Sequence, residues 1–455
     1  VSAYLLFIFL AIGQEAAFPK PLKVESLPAI SGTTLQFRQY DQPRPLNVWV
    51  LRVDLLDPDL AQTVSKPAPA GAKVKTGGKE PKELPAETLS QTTLEFARQE
   101  RLDIAVNASP FSPVVKLPGV PLDINGLHLR EHHLVSPPMK HYACWLLSSD
   151  HRLRFFQDHP PTGALNRAIV GTGGFGMVLV DGRVVERKAK DDPLHPRTAL
   201  GLEEGPDGQS KAMVWVVIDG RQPKVSEGVS QMELGLLGKD LGCSQMLNLD
   251  GGGSSTLVMD DPIEKDSLKA GLKVRNTPVG LGNIPGTLRP NGNNWGLWRV
   301  TPENGVTAAQ LKAIYPRLTP GALLRLVGPL NNSLRQLRLE TPEAKAVFLS
   351  LLALPGGPLS EGSSNLKEWP PVQSGLAGLS TEWGISASEL QSILAEIDGK
   401  VLAARYWWQS NHASQALNDG KLADLAGLLP PAREVFEESR KNALKILSQK
   451  QAPGG

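Results

Sequence analysis

Cysteine is scarce: the 455 residues hold only Cys144 and Cys243. Neither lies in a CxxC or Cys/His spacing, so a structural zinc site has no support and no metal is expected. Two cysteines so far apart can pair in an oxidising compartment or pack as small hydrophobes. An excess of one charge is also missing, since 48 Lys plus Arg face 46 Asp plus Glu and leave +2, which excludes the basic field of a nucleic-acid partner. No apolar run is long enough for a transmembrane span. The longest near the N-terminus, Ala3–Ile12, falls short of the roughly 20 residues a bilayer needs but suits the core of a signal peptide. Residues 1–17 are accordingly expected to be a signal peptide and the protein extracytoplasmic: secreted, periplasmic or at the cell surface. No Lys or Arg precedes the run, and the first residue is Val. No fixed-period repeat is present, which argues against a solenoid.

Turn formers are abundant. Gly and Pro number 44 and 38, favouring short strands joined by many turns. Strands are expected at Leu46–Leu56, Asp103–Asn107, Tyr142–Leu147, Arg152–Phe156, Gly176–Val180, Thr198–Leu202, Lys211–Ile218 and Gln245–Leu249. Helical spacing marks Thr88–Gln99 and Gln231–Leu241, the latter after a Ser-rich entry. Strand, helix and strand from about Met213 to Leu249 point to an α/β fold, a mixed sheet with helices, over residues 30–300. Within it Ser65–Pro85, rich in Pro, Gly and Lys, reads as a flexible surface loop. From Thr301 to Leu447 the pattern turns helical, so residues 301–450 are expected to form a second, mostly α domain.

The densest chemical signal is Asn248-Leu249-Asp250-Gly251-Gly252-Gly253-Ser254-Ser255-Thr256 after an apolar strand. Three glycines allow close backbone approach and can aim amides at an anion, while the carboxylate and hydroxyls add polar contacts. A tight turn capped by Asp and Ser is the plainer alternative. A P-loop is excluded because no Lys follows the glycines. Asp219, in Ile218-Asp219-Gly220-Arg221, ends another apolar strand one helical crossover away, which can bring both carboxylates to one sheet edge. Two carboxylates are the minimum kit for glycoside hydrolysis. His195 could donate a proton near neutral pH, and Arg197 offers a fork for two phosphate oxygens. At the end of a further strand, Asn107 could bond a sugar hydroxyl and Phe111 could stack on its ring.

In order, NASPF, GLHLREHH, HPRTALG, VVIDGRQ with SEGVS and MELGLL, LNLDGGGSSTLV and Asn276-Thr277-Pro278 resemble the phosphodiester glycosidase family, over about Leu46–Trp298. The resemblance implies an α/β fold and cleavage of a sugar 1-phosphodiester without a cofactor. It carries over as site candidates Asn107, His195, Arg197, Asp219, Arg221, Asn248, Asp250, Gly251, Gly252, Gly253, Ser254, Ser255 and Thr256. Asp250 is expected to act at the anomeric centre, with Asp219 and His195 as partners; the rest, with Phe111, bind substrate. Ala108-Ser109-Pro110 departs from the Gly-containing turn of many relatives, which leaves room for a different sugar pocket.

Three C-terminal stretches, GVTAAQLKAIYP, GPLNNSLRQLRLETPEAKAVFLSLLA and WWQSNHASQALNDGKLADLAGLL, resemble glycoside hydrolase family 19 and lysozyme-like domains. The catalytic Glu that this resemblance calls for is replaced by Ala353-Leu354-Pro355-Gly356-Gly357, with Glu361 nearby. That half is therefore expected to be inactive, with a cell-wall glycan as its partner if it binds one. The expected activity is hydrolysis of a sugar 1-phosphodiester in a phosphorylated glycan or exopolysaccharide. The competing readings are a non-catalytic surface polysaccharide-binding protein and a muramidase or chitinase acting through the C-terminal half.

Overall fold

Valine, isoleucine, leucine and tryptophan lie on both faces of Leu46–Asp54 and Ser210–Ile218, and most residues of the two strands are buried. Strands apolar on both faces must lie inside a sheet covered on each side. A computed structural model describes residues 17–75, 83–131, 133–148, 151–260, 271–302 and parts of 304–332. In it both strands sit at the centre of an eight-stranded sheet. The order across this sheet is Lys23–Leu27, Thr33–Tyr40, Leu46–Asp54, Ser210–Ile218, Arg197–Glu204, Gln245–Asn248, Gly176–Val180 and Arg183–Val184. Every neighbouring pair is antiparallel.

The expected α/β class is thereby corrected: the described residues form a mostly antiparallel β protein. Ser210–Ile218 and Gln245–Asn248 are not paired, because Arg197–Glu204 lies between them, antiparallel to both. A strand-helix-strand pattern specifies a crossover but not whether an earlier strand already occupies the slot beneath it. The intervening strand keeps the outer two parallel to each other, so both finish at one edge.

A five-stranded antiparallel sheet follows the order Leu272–Val274, Leu257–Asp260, Ile104–Asn107, Asn294–Arg299, Leu60–Val64. Another runs His133–Ser136, His128–Arg130, Ala168–Gly174, Ala143–Ser148, Leu153–Phe156. The three sheets share one core, centred on three buried indoles. Trp215 stacks on Trp295 with centroids 4.5 Å apart and meets the edge of Trp145 at 6.2 Å, one indole from each sheet. The outer face of the large sheet is closed by the helix Gln231–Asp240 through Leu234 and Leu237, packed with Val178 and Met246. That helix begins with a capping box between Ser230 and Glu233, and the Asp192 carboxylate accepts from the backbone of Gln231 (2.6 Å) and Met232 (2.9 Å). These bonds satisfy donors that a helix start leaves open.

The segment Ser65–Pro85 is not all loop: Lys73–Lys75 pairs with Glu83–Pro85. Within the stretch expected to be helical from Thr301, Ala308–Ile314 is a helix, and the Ala308 amide donates to Asp59 Oδ1 at 2.7 Å. What is described beyond Thr301 is thus one short helix with fragments docked on the β body, not a mostly α domain of its own. The signal-peptide run, the helices expected after Asn332, and Glu361 lie outside the described residues. Both cysteines are free and buried, and burial pushes each thiol up to about 12, which keeps them unreactive packing groups. Among the described residues no helix is long and apolar enough to cross a membrane.

Because Trp215 contacts both other sheets, Trp215→Ala should cost about 3–5 kcal/mol of stability, read as a lowered urea midpoint.

Candidate active site

Antiparallel register determines what emerges at the edge where the two carboxylate strands end. Ile218 lies opposite Arg197, Ala199 opposite Asn248, and Gly176 opposite Asn248. Across the edge the chain therefore presents, in order, Asp219, His195-Pro196, Asp250 and Phe175. At about 4.8 Å per strand, Asp219 and Phe175 flank Asp250 on opposite sides. Glycines let the loops close onto the middle of this row. A Cβ on Gly220 would lie 2.5 Å from Pro196 N, and one on Gly251 2.8 Å from Pro196 O.

Asp250 is the less enclosed of the two carboxylates, though still largely buried. Its side chain is 13% exposed, and its backbone is clamped by Asn107, whose Nδ2 donates to Asp250 O at 2.7 Å. Asn107 Oδ1 in turn accepts from Thr198 Oγ1 (2.8 Å) and Thr256 N (3.1 Å). The buried Asn107 amide thus uses one donor and both acceptor positions, holding three strand ends in register. Asp250 Oδ1 accepts from Gly251 N at 2.9 Å, and Oδ2 from Arg289 Nη2 at 3.2 Å. Arg289 also donates to Ser254 Oγ and lies over the Phe111 ring, 5.6 Å from its centroid. Burial raises the Asp250 carboxyl above its ordinary value, against the pull of Arg289 and Ser254.

Asp219 is at the same edge but enclosed, with 1% of its surface exposed. Asn276 Nδ2 donates to its Oδ1 at 2.9 Å, and Thr277 N donates to both oxygens at 3.1 Å. Desolvation nonetheless pushes this carboxyl up to about 7, against those bonds. Asn276 Nδ2 also reaches Ser255 O at 2.9 Å, so one amide ties the Asp219 strand end to the glycine loop.

The expected anion cradle of the glycine loop is not what the backbone forms. Gly252 N donates to Pro196 O in the neighbouring loop, while bonds from Ser254 N to Gly251 O and from Ser255 N to Gly252 O close a 3-10 turn at Gly252–Ser254. Gly253 is required by contact, because a Cβ there would lie 2.0 Å from Gly280 O. Arg197 is likewise committed. It is buried, with Nε on Val229 O at 3.1 Å, Nη2 on Pro193 O at 3.0 Å, and Asp192 3.9 Å away. Its guanidinium braces the entry to the capped helix. Phe111 is 7% exposed, with Arg289 across its ring. Asn248 and Thr256 are buried beneath the site; Asn248 Oδ1 and Ser255 Oγ have no hydrogen-bond partner.

Of the candidates, Arg221 is exposed and His195 half-buried, and they stand beside the buried Asp250. Arg221 Nη2 lies 3.2 Å from His195 Nδ1 and Nη1 3.1 Å from Asn283 Oδ1. A guanidinium only donates, so His195 Nδ1 is the acceptor and the ring proton sits on Nε2. Burial, with Arg197 and Arg221 nearby, lowers the His195 pKa, consistent with a neutral ring that still offers one N–H. Arg221 and Arg289 bring two cations to the mouth beside the glycine loop. Among the described residues no group of three or more His, Cys, Asp or Glu could hold a metal. Arg289 carried no motif in the sequence, and the Asn276-Thr277-Pro278 motif gave no hint that Asn276 would brace Asp219.

Residues 100–298 match the phosphodiester glycosidase family, within the span of the resemblance seen in the sequence. No curated protein matches the chain. Solved structures similar at low identity include two. One is a hypothetical protein from Synechocystis, with TM-score 0.41, 14% identity, and coverage of 61% of this chain and 64% of that one. The other is the catalytic domain of zebrafish N-acetylglucosamine-1-phosphodiester alpha-N-acetylglucosaminidase, auto-inhibited by its pro-peptide, with TM-score 0.42, 14% identity, and coverage of 61% and 88%. The chain thus spans less than two thirds of the length of the Synechocystis structure.

A carboxyl raised from about 3.9 in the unfolded chain to about 7 in the fold stabilises fully below the lower value, and the contribution is lost as pH rises through the upper. Wild type should therefore lose melting temperature relative to Asp219→Asn between pH 4 and 7, with a constant difference above pH 8; a difference independent of pH would contradict the assignment.

Proposed function

We propose that this protein hydrolyses the bond between an anomeric carbon and the phosphate of a sugar 1-phosphodiester. The observation that carries the reading is the carboxylate of Asp250, paired with Arg289 at 3.2 Å, in the same loop cluster as Arg221, whose guanidinium lies against Gly252 and His195. The family match over residues 100–298 supports the reaction class. The apolar run at Ala3–Ile12 supports an extracytoplasmic setting, and a phosphorylated glycan or polysaccharide is the substrate class such a setting offers.

The chemistry follows from the leaving group. Breaking the C1–O bond releases a phosphate monoester, whose oxygen carries its negative charge at neutral pH. It needs far less protonation than the alkoxide of an ordinary glycoside. What the site must supply is stabilisation of that charge and a group at C1. Arg221 binds the phosphate oxygens, aided by the His195 Nε2–H. Asp250, oriented by Arg289 and by the Asn107 clamp, acts at C1, either attacking it or taking a proton from the attacking water. Water supplies the new hydroxyl of the sugar and the proton that balances the monoester. Asp219 is a positioning residue in this scheme, since its oxygens are held by Asn276 and Thr277 away from solvent, and Arg197 positions the loop that carries His195.

The test is release of free sugar from N-acetylglucosamine and glucose 1-phosphodiesters by the purified protein. Asp250→Asn should keep the fold and lose about 10²–10⁴-fold in turnover; activity within a few-fold of wild type would remove Asp250 from the reaction. Arg221→Lys should lower kcat/KM strongly, because Lys keeps the charge but not the forked geometry. Arg197→Lys should act mainly on stability, read by thermal unfolding beside the kinetics.

A further inference from the structure

Large apolar side chains are exposed at several described positions, and all but one are Leu, Val, Ile or Met. The exception is Phe175, 45% exposed, in the turn between Ala168–Gly174 and Gly176–Val180. Its position is fixed by the main chain: Phe175 N donates to Asn248 O at 2.9 Å, two residues before Asp250. The ring is not isolated, because Tyr142 lies beside it with centroids 6.1 Å apart and planes tilted by 35°. Tyr142 is itself held against Gly126, where an added Cβ would lie 3.1 Å from Tyr142 Cβ. Phe111, by contrast, is buried and has Arg289 across it, so it offers no open face.

The order along the sheet edge gives the pair a direction. Arg221 and His195 stand on the Asp219 side of Asp250, and Phe175 stands on the other. A substrate whose phosphate reaches Arg221 and whose anomeric carbon reaches Asp250 extends its sugar ring toward Phe175. Aromatic faces suit the apolar C–H face of a pyranose, and a second ring behind the first stiffens the platform at little entropic cost.

We infer that Phe175, backed by Tyr142, is the stacking platform for the sugar ring whose anomeric carbon is cleaved. This rests on the reaction assigned above for its direction, and on the exposed ring pair beside Asn248 for its existence. The two are separable because sugar and phosphate can be titrated apart.

The experiment measures binding of free glucose, free N-acetylglucosamine and inorganic phosphate to the full chain by ligand-observed NMR, alongside kinetics on the matching 1-phosphodiesters. Phe175→Ala should weaken sugar binding and raise KM about 5–10-fold, leave phosphate binding unchanged, and be rescued by Phe175→Trp. If Phe175→Ala disturbs folding, Phe175→Leu serves, since it keeps apolar bulk without an aromatic face. Selective loss of sugar binding in a protein that hydrolyses no phosphodiester would uphold the platform and reject the reaction. Unchanged sugar binding, or an equal fall in sugar and phosphate binding, would overturn the platform.

Discussion

In an antiparallel sheet, alternate strands run the same way, and this constraint places the whole site. Arg197–Glu204 pairs with Ser210–Ile218 on one side and Gln245–Asn248 on the other. Asp219 and Asp250 must then leave at one edge, where the middle strand enters with His195 and Pro196. No helix dipole or metal is needed to gather these groups. The hydrophobic core behind them, three indoles from three sheets, makes the edge rigid enough to hold a carboxylate in one place.

The polar network at that edge explains why two chemically identical carboxylates have different surroundings. Asp219 has its oxygens filled by Asn276 and Thr277 and sits almost sealed; Asp250 is less enclosed and is paired with Gly251 N and Arg289. Buried amides bind the arrangement. Asn107 joins Asp250, Thr198 and Thr256, and Asn276 joins Asp219, Ser255 and Leu257. A half-satisfied buried network is costly, so loss of either amide would release a loop as well as a bond. The glycines serve the same end, allowing Gly251 and Gly253 to pack on Pro196 O and Gly280 O while the amides of Ser254 and Ser255 close a turn.

Much of this was legible in the sequence, and the rest was hidden for identifiable reasons. Apolar runs such as Gly176–Val180 and Lys211–Ile218 read correctly as strands, and the Ser-rich entry at Ser230 read correctly as a helix start. The shared edge of Asp219 and Asp250 also followed, although a strand from earlier in the chain lies between the two strands that carry them. Pairing partners are nonlocal, so no spacing could show that insertion, and the α/β expectation failed with it. Ala168–Gly174 escaped notice because four of its seven residues are Gly or Thr, although the strand is wholly buried. Arg197 drew attention as an arginine in a motif, yet its partners are backbone carbonyls that sequence does not reveal. Arg289 and Phe175 reach the site from a loop and a turn, and only three-dimensional register brings them beside Asp250.

The central claim is that the bond broken lies between carbon and oxygen, at the anomeric centre, with the phosphate as leaving group. Hydrolysis of a sugar 1-phosphodiester in water enriched in oxygen-18 reads this directly. Attack at the anomeric carbon, the role proposed for Asp250, places the heavy oxygen on the released sugar and leaves the phosphate unlabelled. Label in the phosphate monoester, with an unlabelled sugar, would show attack at phosphorus and contradict the account.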